Sequence, residues 1–360
     1  MSDRSTNRMI ELYMEEADAP MFLSGFFRSP PENFHTTEKV ELDIIRDQED
    51  VAVVIQDFSG GARQNENDKY VNKSFTPPIY KEEGTINAFE MIRRQPGQNP
   101  FQDPNFGAAA TGQAFRVFRR LERKIRRSIE LMASQVFQTG ILTLVDPNGT
   151  TLYTLDFLMK GSHKITTTTW AADGSTGNPL ADIKSASRVV RQDGKKNPFR
   201  LVFGAGAFQR FLANADVKQR VFNNFTSPNY ASLVPEMRGE GATFQGWVNV
   251  DNYKFEMWTY DGWFKHPQTG TLTTYVSDAS VIMLAEGRWD LTYGAIPMIV
   301  SPEQRALPFL PARMSDSGRG LDLTTNSWIT PDGEHLKVSA GTRPLTIPTA
   351  IDTYACLTVF

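Results

Sequence analysis

The sequence predicts a mixed α+β fold in which one long helix is combined with strands, an extended hairpin and an N-terminal arm. Three observations carry this prediction. Residues 112–139 repeat large apolar side chains every three or four positions, as a helix with one buried face does. Residues 57–84 are polar, contain glycines and a Pro-Pro pair, and are long for a loop, which favours a protruding hairpin. Residues 20–27 concentrate apolar and aromatic side chains, but too few to form a core of their own.

The N-terminal arm comprises residues 1–36. Its segment PMFLSGFF carries five large apolar side chains within seven residues, and Pro30-Pro31 then prevents a helix. These apolar side chains must bury either against the body of the chain or against another subunit. The candidates for contact with another subunit are Phe22, Leu23, Phe26 and Phe27.

Two strands and the hairpin follow the arm. Residues 36–45 alternate apolar and charged side chains, which predicts a strand half exposed to water, and residues 50–56 are predicted to form another. The polar segment after them has partial alternation around Tyr70 and Phe75. We therefore expect a hairpin that buries little against its own chain and lies on a neighbour. Tyr70, Phe75 and Tyr80 are the candidates for that contact.

The long helix has two distinct faces. Its apolar stripe consists of Phe115, Phe118, Leu121, Ile125, Ile129, Met132 and Val136, and Gly140 is predicted to end it. The remaining surface is basic, because residues 116–127 hold seven cations and a single acid, Glu122. One face of it carries Arg116, Arg120, Arg123 and Arg127. This face is either solvated with some ion pairs between subunits, or it meets acidic protein segments or DNA phosphates without reading base sequence.

The middle of the chain alternates between strands and helices, and the C-terminal part returns to strands. The predicted helices are residues 179–191, 207–214 and 216–222. The predicted strands are residues 141–145, 152–158, 199–203, 244–258 and 280–286, of which the first two are joined by a turn at residues 146–149. From residue 302 onward, prolines, glycines and short alternating segments predict strands that return toward the first part of the chain.

Composition excludes several classes of protein. The 360 residues are 40% hydrophobic, which is enough for a sizeable core. A net charge of −3 argues against a general binder of polyanions. The single cysteine, Cys356, excludes an internal disulfide framework and a cysteine-based metal site. We expect a soluble protein made in the cytoplasm and no membrane contact, because neither a signal peptide nor an apolar run of roughly 18 to 20 residues is present.

No set of residues predicts catalysis, and we expect no cofactor and no metal. Residues 203–208, FGAGAF, place a G-x-G between a strand and a helix, but a dinucleotide fingerprint needs a third glycine where Gln209 stands. A tight strand-to-helix turn, which glycine forms with little strain, is the favoured explanation of these glycines. Four histidines are scattered without metal-ligand spacing, and Cys356 lies in an apolar segment typical of a core thiol.

An ordered series of blocks in the first third of the chain resembles the major capsid proteins of lambda-type tailed bacteriophages. The first blocks are PMFLSGFF at residues 20–27, Arg28, and TTEKVEL at residues 36–42. The later blocks are FTPPIYK at residues 75–81, Asn87, Met91, Arg93-Arg94, Pro96 and Asp103-Pro104. Near the C-terminus, Ser327-Trp328, Thr330 and Asp332 also fit. The order and spacing of the blocks are more specific than any one of them.

This resemblance implies the Hong Kong 97-type capsid fold. That fold has an N-terminal arm, a long hairpin called the E-loop, a peripheral domain with a long spine helix, and an axial domain at the centre of the capsomer. The expected division is an arm at 1–36, peripheral strands at 37–56, an E-loop at 57–90, a peripheral domain at 91–174 with its spine helix at 112–139, an axial domain at 175–300, and a C-terminal return to the peripheral domain at 301–360.

The resemblance also implies a structural function. The chain is expected to be a head subunit that assembles with itself into hexamers and pentamers of an icosahedral shell around double-stranded DNA. Scaffolding, portal and decoration proteins are the further partners implied, and the expected location is the virion after assembly in the host cytoplasm. Because the arm looked poor in self-burial, deletion of residues 1–28 is expected to leave a folded body that no longer forms shells.

Two alternatives remain open at the level of sequence. One is a shell of the same fold that is not viral and encloses an enzyme cargo. The other is a monomeric or dimeric α/β enzyme, which the absence of a converging catalytic set opposes.

Overall fold

The computed structural model of the chain describes residues 21–35, 37, 39–45, 70–89, 106–146, 148–222, 231–238, 241–296 and 322–360. The strand predicted over residues 50–56 and the outer part of the predicted hairpin lie outside the described residues.

The long helix α1 spans Phe106–Thr139 and therefore begins before residue 112, where the apolar stripe had placed its start. The added turn contains Ala108, Ala109 and Ala110, and alanine is the strongest helix former, which outweighs the neighbouring glycine. As predicted, Gly140 follows the helix, with a left-handed φ of +65°. A side chain here would also meet Met159, so both the backbone conformation and the space require glycine.

One face of α1 is buried along its length. Leu121, Ile125, Ile129, Met132 and Val136 are each at most 4% exposed, as the spacing predicted. Phe115 was also assigned to this stripe, but it is 36% exposed, and Ala114 is buried in its place. The helical period explains this correction, since Ala114 lies four residues before Phe118 and seven before Leu121, on the same face.

Three shorter helices lie in the middle of the chain, namely α2 (Pro179–Gly194), α3 (Ala205–Ala213) and α4 (Ala215–Phe222). They agree closely with the predicted segments. The start of α2 shows why, because the side chain of Asn178 accepts a hydrogen bond from the Ala181 N–H at 3.1 Å. Pro179 occupies the first helical position, where an N–H would have no helical acceptor.

The strands, in chain order, are β1 (Val40–Ile45), β2 (Tyr70–Phe75), β3 (Tyr80–Asn87), β4 (Ile141–Val145), β5 (Thr151–Asp156), β6 (Lys164–Thr166), β7 (Pro198–Phe203), β8 (Ala231–Met237), β9 (Ala242–Val250), β10 (Tyr253–Tyr260), β11 (Trp263–Lys265), β12 (Leu272–Thr274), β13 (Ser280–Ala285), β14 (Asp290–Tyr293), β15 (Thr324–Ile329), β16 (His335–Thr342), β17 (Pro344–Ile347) and β18 (Tyr354–Thr358). The largest sheet has the order β6-β18-β13-β7-β10-β9-β8. Its pairs β7–β10 and β6–β18 are parallel, and the others are antiparallel.

The large sheet separates two apolar clusters. On one side, Val202, Ile282 and Tyr354 pack in a common cluster with the buried face of α1. On the other side, Leu201, Phe203 and their neighbours pack with apolar residues of α2 and α3. Strands covered on both faces are apolar at nearly every position, which is why β13 and the second half of β7, residues 201–203, appear in the sequence as apolar runs.

The segment 244–258 had been predicted as one strand, but the structure divides it into β9 and β10. The two strands form an antiparallel hairpin in which Val250 pairs with Tyr253, so Asp251-Asn252 is the turn. Asp251 has a φ of +51°, the conformation that Asp and Asn tolerate in two-residue hairpin turns. The sequence does not reveal this turn, because apolar and polar side chains alternate on both sides of it and the segment resembles one long strand.

The smaller sheets fix where the hairpin begins. β1 and β2 are antiparallel, with Val40 opposite Phe75 and Ile45 opposite Tyr70. β3, which the prediction had included in the hairpin, pairs with β16, and β15 completes this three-stranded sheet. β14–β17, β4–β5 and β11–β12 form separate two-stranded sheets.

The last strand departs from the expectation that the whole C-terminal segment returns to the first part of the chain. β15 and β16 do join β3, whereas β18 lies inside the large sheet between β6 and β13. Its alternate residues face opposite sides, with Tyr354 and Cys356 in one apolar cluster and Ala355 and Leu357 in the other. Such double burial requires the unbroken apolar sequence that this strand has.

Candidate functional site

The described part of the arm lies against the body of its own chain. Leu23 is fully buried and Phe27 is 6% exposed, and the half-buried Phe22 and Phe26 pack against the same cluster as the apolar face of α1. The expectation that the arm buries too little of itself is therefore wrong for this segment. These side chains were expected to bury either against the body of the chain or against another subunit, and in the structure they pack against the body.

A buried carboxylate on α1 holds the arm. Glu130 is fully buried, and its two oxygens accept hydrogen bonds from the backbone N–H groups of Leu23 and Ser24, at 2.7 and 2.8 Å. Leu23 and Ser24 begin a short 3-10 helix, Ser24–Phe26, whose first N–H groups have no acceptor within the helix. The hydroxyl of Tyr260 on β10 donates a third bond to Glu130 at 2.8 Å. One side chain thus joins the arm, α1 and the large sheet.

Burial controls the ionisation of this cluster. Removal from water raises the pKa of Glu130 above its ordinary value of 4.5, although the hydrogen bonds it accepts from the arm and from Tyr260 act in the opposite direction. Burial, together with the adjacent carboxylate of Glu130, also raises the pKa of Tyr260, which stays a hydrogen-bond donor.

Aromatic contacts extend this attachment across the sheet. The ring of Phe22 lies 5.2 Å from that of Trp258 and 5.3 Å from that of Tyr260. The guanidinium of Arg200 on β7 lies 5.0 Å from the ring of Phe26 and pairs with Glu256 at 3.0 Å. These contacts fix the direction in which the arm crosses the molecule.

The hairpin candidates divide into three cases. Phe75 is 3% exposed, and its ring lies 5.4 Å from that of Phe157, so its surface is already used within the chain. Tyr80 is half-buried, and burial raises its pKa. The side chain of Tyr70 lies outside the described part of the structure, which gives only its strand position in β2.

The basic stripe, defined as Arg116, Arg120, Arg123 and Arg127, lies on the side of α1 opposite the buried face, as the spacing predicted. Arg120 and Arg127 are exposed, and Arg116 and Arg123 are half-buried. Within the described residues, no ion pair joins Arg120 or Arg127 to an acid. These two side chains therefore keep positive charge available at the surface.

Two of the cations beside the stripe, Lys124 and Arg126, are paired within the chain. Lys124 contacts Glu82 on β3 at 2.7 Å, and Arg126 contacts Asp322 at 3.3 Å and Glu122 at 3.6 Å. Surface pairs of this kind contribute little stability, but they neutralise the charge of these two flanking side chains.

The glycine-containing turn after β7 is a packing feature. Gly204 begins α3, and a side chain at this position would lie 2.2 Å from the Ser277 carbonyl oxygen. The N–H of Ala207 donates to the Asp278 carbonyl at 2.7 Å, so protein backbone occupies the helix N-terminus where a phosphate would bind. A side chain at Gly206, inside α3, would lie 3.0 Å from the ring of Phe360, so close packing explains both glycines.

The described residues give no support for a metal site, a nucleophilic thiol or a membrane-spanning helix. They contain no group of three or more His, Cys, Asp and Glu side chains that could hold a metal ion. Burial raises the pKa of Cys356 to about 12, so this thiol does not supply a thiolate nucleophile near neutral pH. The described helices are also too short or too polar to cross a membrane.

Sequence reasoning missed Glu130 and Arg200. Glu130 lies beside the apolar stripe directly after Ile129, and an acid next to a buried position was the signal available. Its partners are mainly backbone N–H groups, which every residue except proline carries, so the sequence does not identify them. Arg200 interrupts the apolar strand PFRLVF, which was a similar signal.

Comparison with known proteins assigns the fold. The sequence model of the family described as phage major capsid protein E matches residues 15–359. No curated protein sequence matches the chain. Among solved structures, a protein of an Escherichia coli CFT073 prophage, described as a capsid protein, is 14% identical with a TM-score of 0.66, and the match covers 95% of this chain and 94% of that one.

Two further structures are more distant. The capsid structure of the cyanophage P-SCSP1u is 9% identical with a TM-score of 0.50, covering 98% of this chain and 91% of that chain. An encapsulin from Synechococcus elongatus is 11% identical with a TM-score of 0.46, covering 94% and 87%. The predicted mixed α+β fold and the resemblance to phage capsid proteins are confirmed, and the Hong Kong 97-type fold is consistent with the prophage and cyanophage structures.

Deletion of residues 1–28 should destabilise the subunit, contrary to the expectation from sequence. Removing Leu23 and Phe27 uncovers the side of α1 and leaves Glu130 without its backbone donors. We expect a free energy of unfolding at least about 3 kcal/mol below that of a chain lacking only residues 1–20, measured by chemical denaturation of the unassembled subunit. Equal stability of the two truncations would contradict this assignment of the arm to the core.

Substitution Glu130→Ala should lower the free energy of unfolding by about 2–5 kcal/mol, since it leaves three buried donors unpaired. The control Glu122→Ala, on the same helix but half-exposed, should change it by less than about 0.5 kcal/mol.

The effect of Glu130→Ala should also depend on pH. Because the folded-state pKa is raised, the folded protein holds this proton more tightly than the unfolded chain. The resulting stability is fully present below about pH 4.5 and is lost as pH rises through the folded-state pKa. The difference between the parent chain and the variant should therefore shrink with rising pH, and a difference that grows instead would refute the raised pKa.

Proposed function

The chain belongs to the phage major capsid protein E family, and we propose that it forms the head shell as hexamers and pentamers that enclose packaged double-stranded DNA. The observation that carries this proposal is the extent of the match, since both the family and the fold span nearly the whole chain, including the arm and the root of the hairpin. The family is structural, so the α/β enzyme considered from sequence has no remaining support.

In this proposal the chain is divided as the resemblance implies. The arm at 1–36 and the E-loop at 57–90 extend from a peripheral part built around α1, and residues 175–300 form the axial part of the capsomer. Scaffolding, portal and decoration proteins would be its further partners, with assembly in the host cytoplasm and the virion as its final location.

The burial of Leu23, Phe27 and Phe75 directs the search for subunit contacts elsewhere. Large apolar side chains that remain exposed are better candidates, and two of them flank β3. Ile79 is 63% exposed and Phe89 is 71% exposed. Exposed apolar side chains of this size favour burial against another molecule. Phe22, Phe26 and Tyr80 remain secondary candidates, because each is only half-buried. Tyr70 remains a candidate from its position in β2 alone.

The basic stripe suggests the side of the shell that faces DNA. The stripe projects away from the core of the subunit, and Arg120 and Arg127 have no acidic partner among the described residues. Cations arranged along a helix can meet phosphates or acidic scaffold segments at many registers, which provides retention without sequence readout. We propose that this stripe faces the interior. Ion pairs with a neighbouring subunit remain the second use of the same charge.

Electron microscopy of the purified full chain tests the assembly directly. We expect closed shells, or rings of capsomer size, and nuclease-resistant double-stranded DNA in particles from an infected or induced host. A stable 40.4 kDa monomer would contradict the proposal. Shells that contain a protein cargo and no DNA would indicate the nanocompartment alternative.

Replacement of Arg116, Arg120, Arg123 and Arg127 by glutamine should reduce particle yield or DNA content while the subunit remains folded. The matched control replaces the same four residues by lysine, which keeps the charge and should retain most of both. Yield is measured by gradient sedimentation, DNA content by absorbance of purified particles, and folding by circular dichroism. Normal, DNA-filled particles from the glutamine variant would refute a role for the stripe.

A further inference from the structure

The hairpin formed by β1 and β2 is joined to the body through a short, stiff connection. Residues 76–79, with sequence TPPI, link Phe75 at the end of β2 to Tyr80 at the start of β3. We call these four residues the corner. The proline rings fix φ at Pro77 and Pro78, and a following proline holds Thr76 and Pro77 in extended conformations. The corner is therefore a stiff link between β2 and the body, beside the buried root residues Val40 and Phe75.

Arg343 holds the corner from the inside. It is 3% exposed and is the single residue between β16 and β17. Its Nε and Nη2 atoms both donate to the Pro77 carbonyl at 3.3 Å, and its Nη1 donates to the Ala295 carbonyl at 3.0 Å. Its own carbonyl accepts from the N–H of Gly294 at 2.9 Å. One residue thus connects the corner, the segment after β14 and the junction of two sheets.

The guanidinium is suited to fixing an angle. It is planar and permanently charged, and it presents donors in fixed directions, so two carbonyl oxygens bound to it are held at a set distance and orientation. The other side of the corner is also closed, because a side chain at Gly294 would lie 3.2 Å from Cγ of Pro77 and 3.6 Å from Cβ of Arg343. The corner is confined between Gly294 and Arg343.

We propose that Arg343 is a positioning residue that sets the direction in which the hairpin leaves the body and, through it, the curvature of the assembled shell. The inference rests on the proposed function, because the hairpin direction affects curvature only where the hairpin lies across a neighbouring subunit. A small angular change at the root of an extended element displaces its far end most, so particle size is a sensitive measure of this angle.

The test compares Arg343→Lys with Arg210→Lys in the full chain. Lysine keeps the charge but offers one ammonium in place of the planar fork, so it cannot reproduce the two donations to the Pro77 carbonyl together with the third to Ala295 in a fixed geometry. Arg210 is a suitable control, because its guanidinium also donates to a backbone carbonyl, that of Trp170 at 2.7 Å. The guanidinium also lies over the ring of Phe360. Arg210 belongs to α3 and not to the corner. Particle diameters are measured by electron microscopy, and the melting temperature of each unassembled subunit is measured in parallel.

We expect both variants to melt at lower temperature, but only Arg343→Lys to shift or broaden the distribution of particle diameters. Unchanged diameters for Arg343→Lys, or equal changes in both variants, would overturn the inference, since size would then follow stability alone. If Arg343→Lys does not fold, Gly294→Ala decides, because it presses on Pro77 and leaves Arg343 in place; unchanged diameters there would also overturn it. Absence of shells from the unmodified chain would instead refute the proposed function.

Discussion

The structure depends on covering the apolar face of α1. A helix of this length extends about 50 Å, and it cannot bury its own stripe. The cover comes from distant parts of the sequence, since α1 contacts the arm, the hairpin β4–β5, the three-stranded sheet, β17 and the large sheet through β13 and β18. Each of these elements is marginal alone, and each becomes stable because α1 offers it an apolar surface. The arm therefore completes the core of the subunit.

Glu130 makes the arm contact selective. A carboxylate buried in an apolar interface is unfavourable unless donors surround it, and the first N–H groups of the 3-10 helix Ser24–Phe26 meet this need. Apolar burial alone would let PMFLSGFF slide along α1, since one hydrophobic contact resembles the next. The requirement for two backbone N–H groups at one place, with Tyr260 at a third position, fixes a single register. Because the burial of Glu130 is tolerated only where these donors meet it, Glu130 determines the position of the arm on α1.

The sequence predicted whatever is periodic and local. The stripe of α1, the position of α2 and the apolar strand β13 follow from the spacing of side chains within one segment. The place of β18 inside the large sheet did not follow, because an apolar run indicates double burial without naming its neighbours. Glu130 and Arg343 were missed for a different reason. Their partners are mainly backbone N–H and carbonyl groups, which nearly every residue carries. The amino-acid sequence therefore does not identify either site.

The three surfaces proposed for assembly are mechanically joined through α1. The basic stripe is part of the helix, the arm is bonded to it at Glu130, and the sheet that receives the hairpin approaches it closely at Gly84, where a side chain would overlap Val117. Lys124 and Glu82 bridge the same two elements. A displacement of the hairpin is transmitted through the corner to β3 and then to α1. A displacement of the arm reaches the same helix through Glu130. Because packed interiors move as units and deform little, contacts that neighbours make at these separate surfaces cannot be independent. In the proposed shell, α1 is the element that would couple the contacts made by different neighbouring subunits.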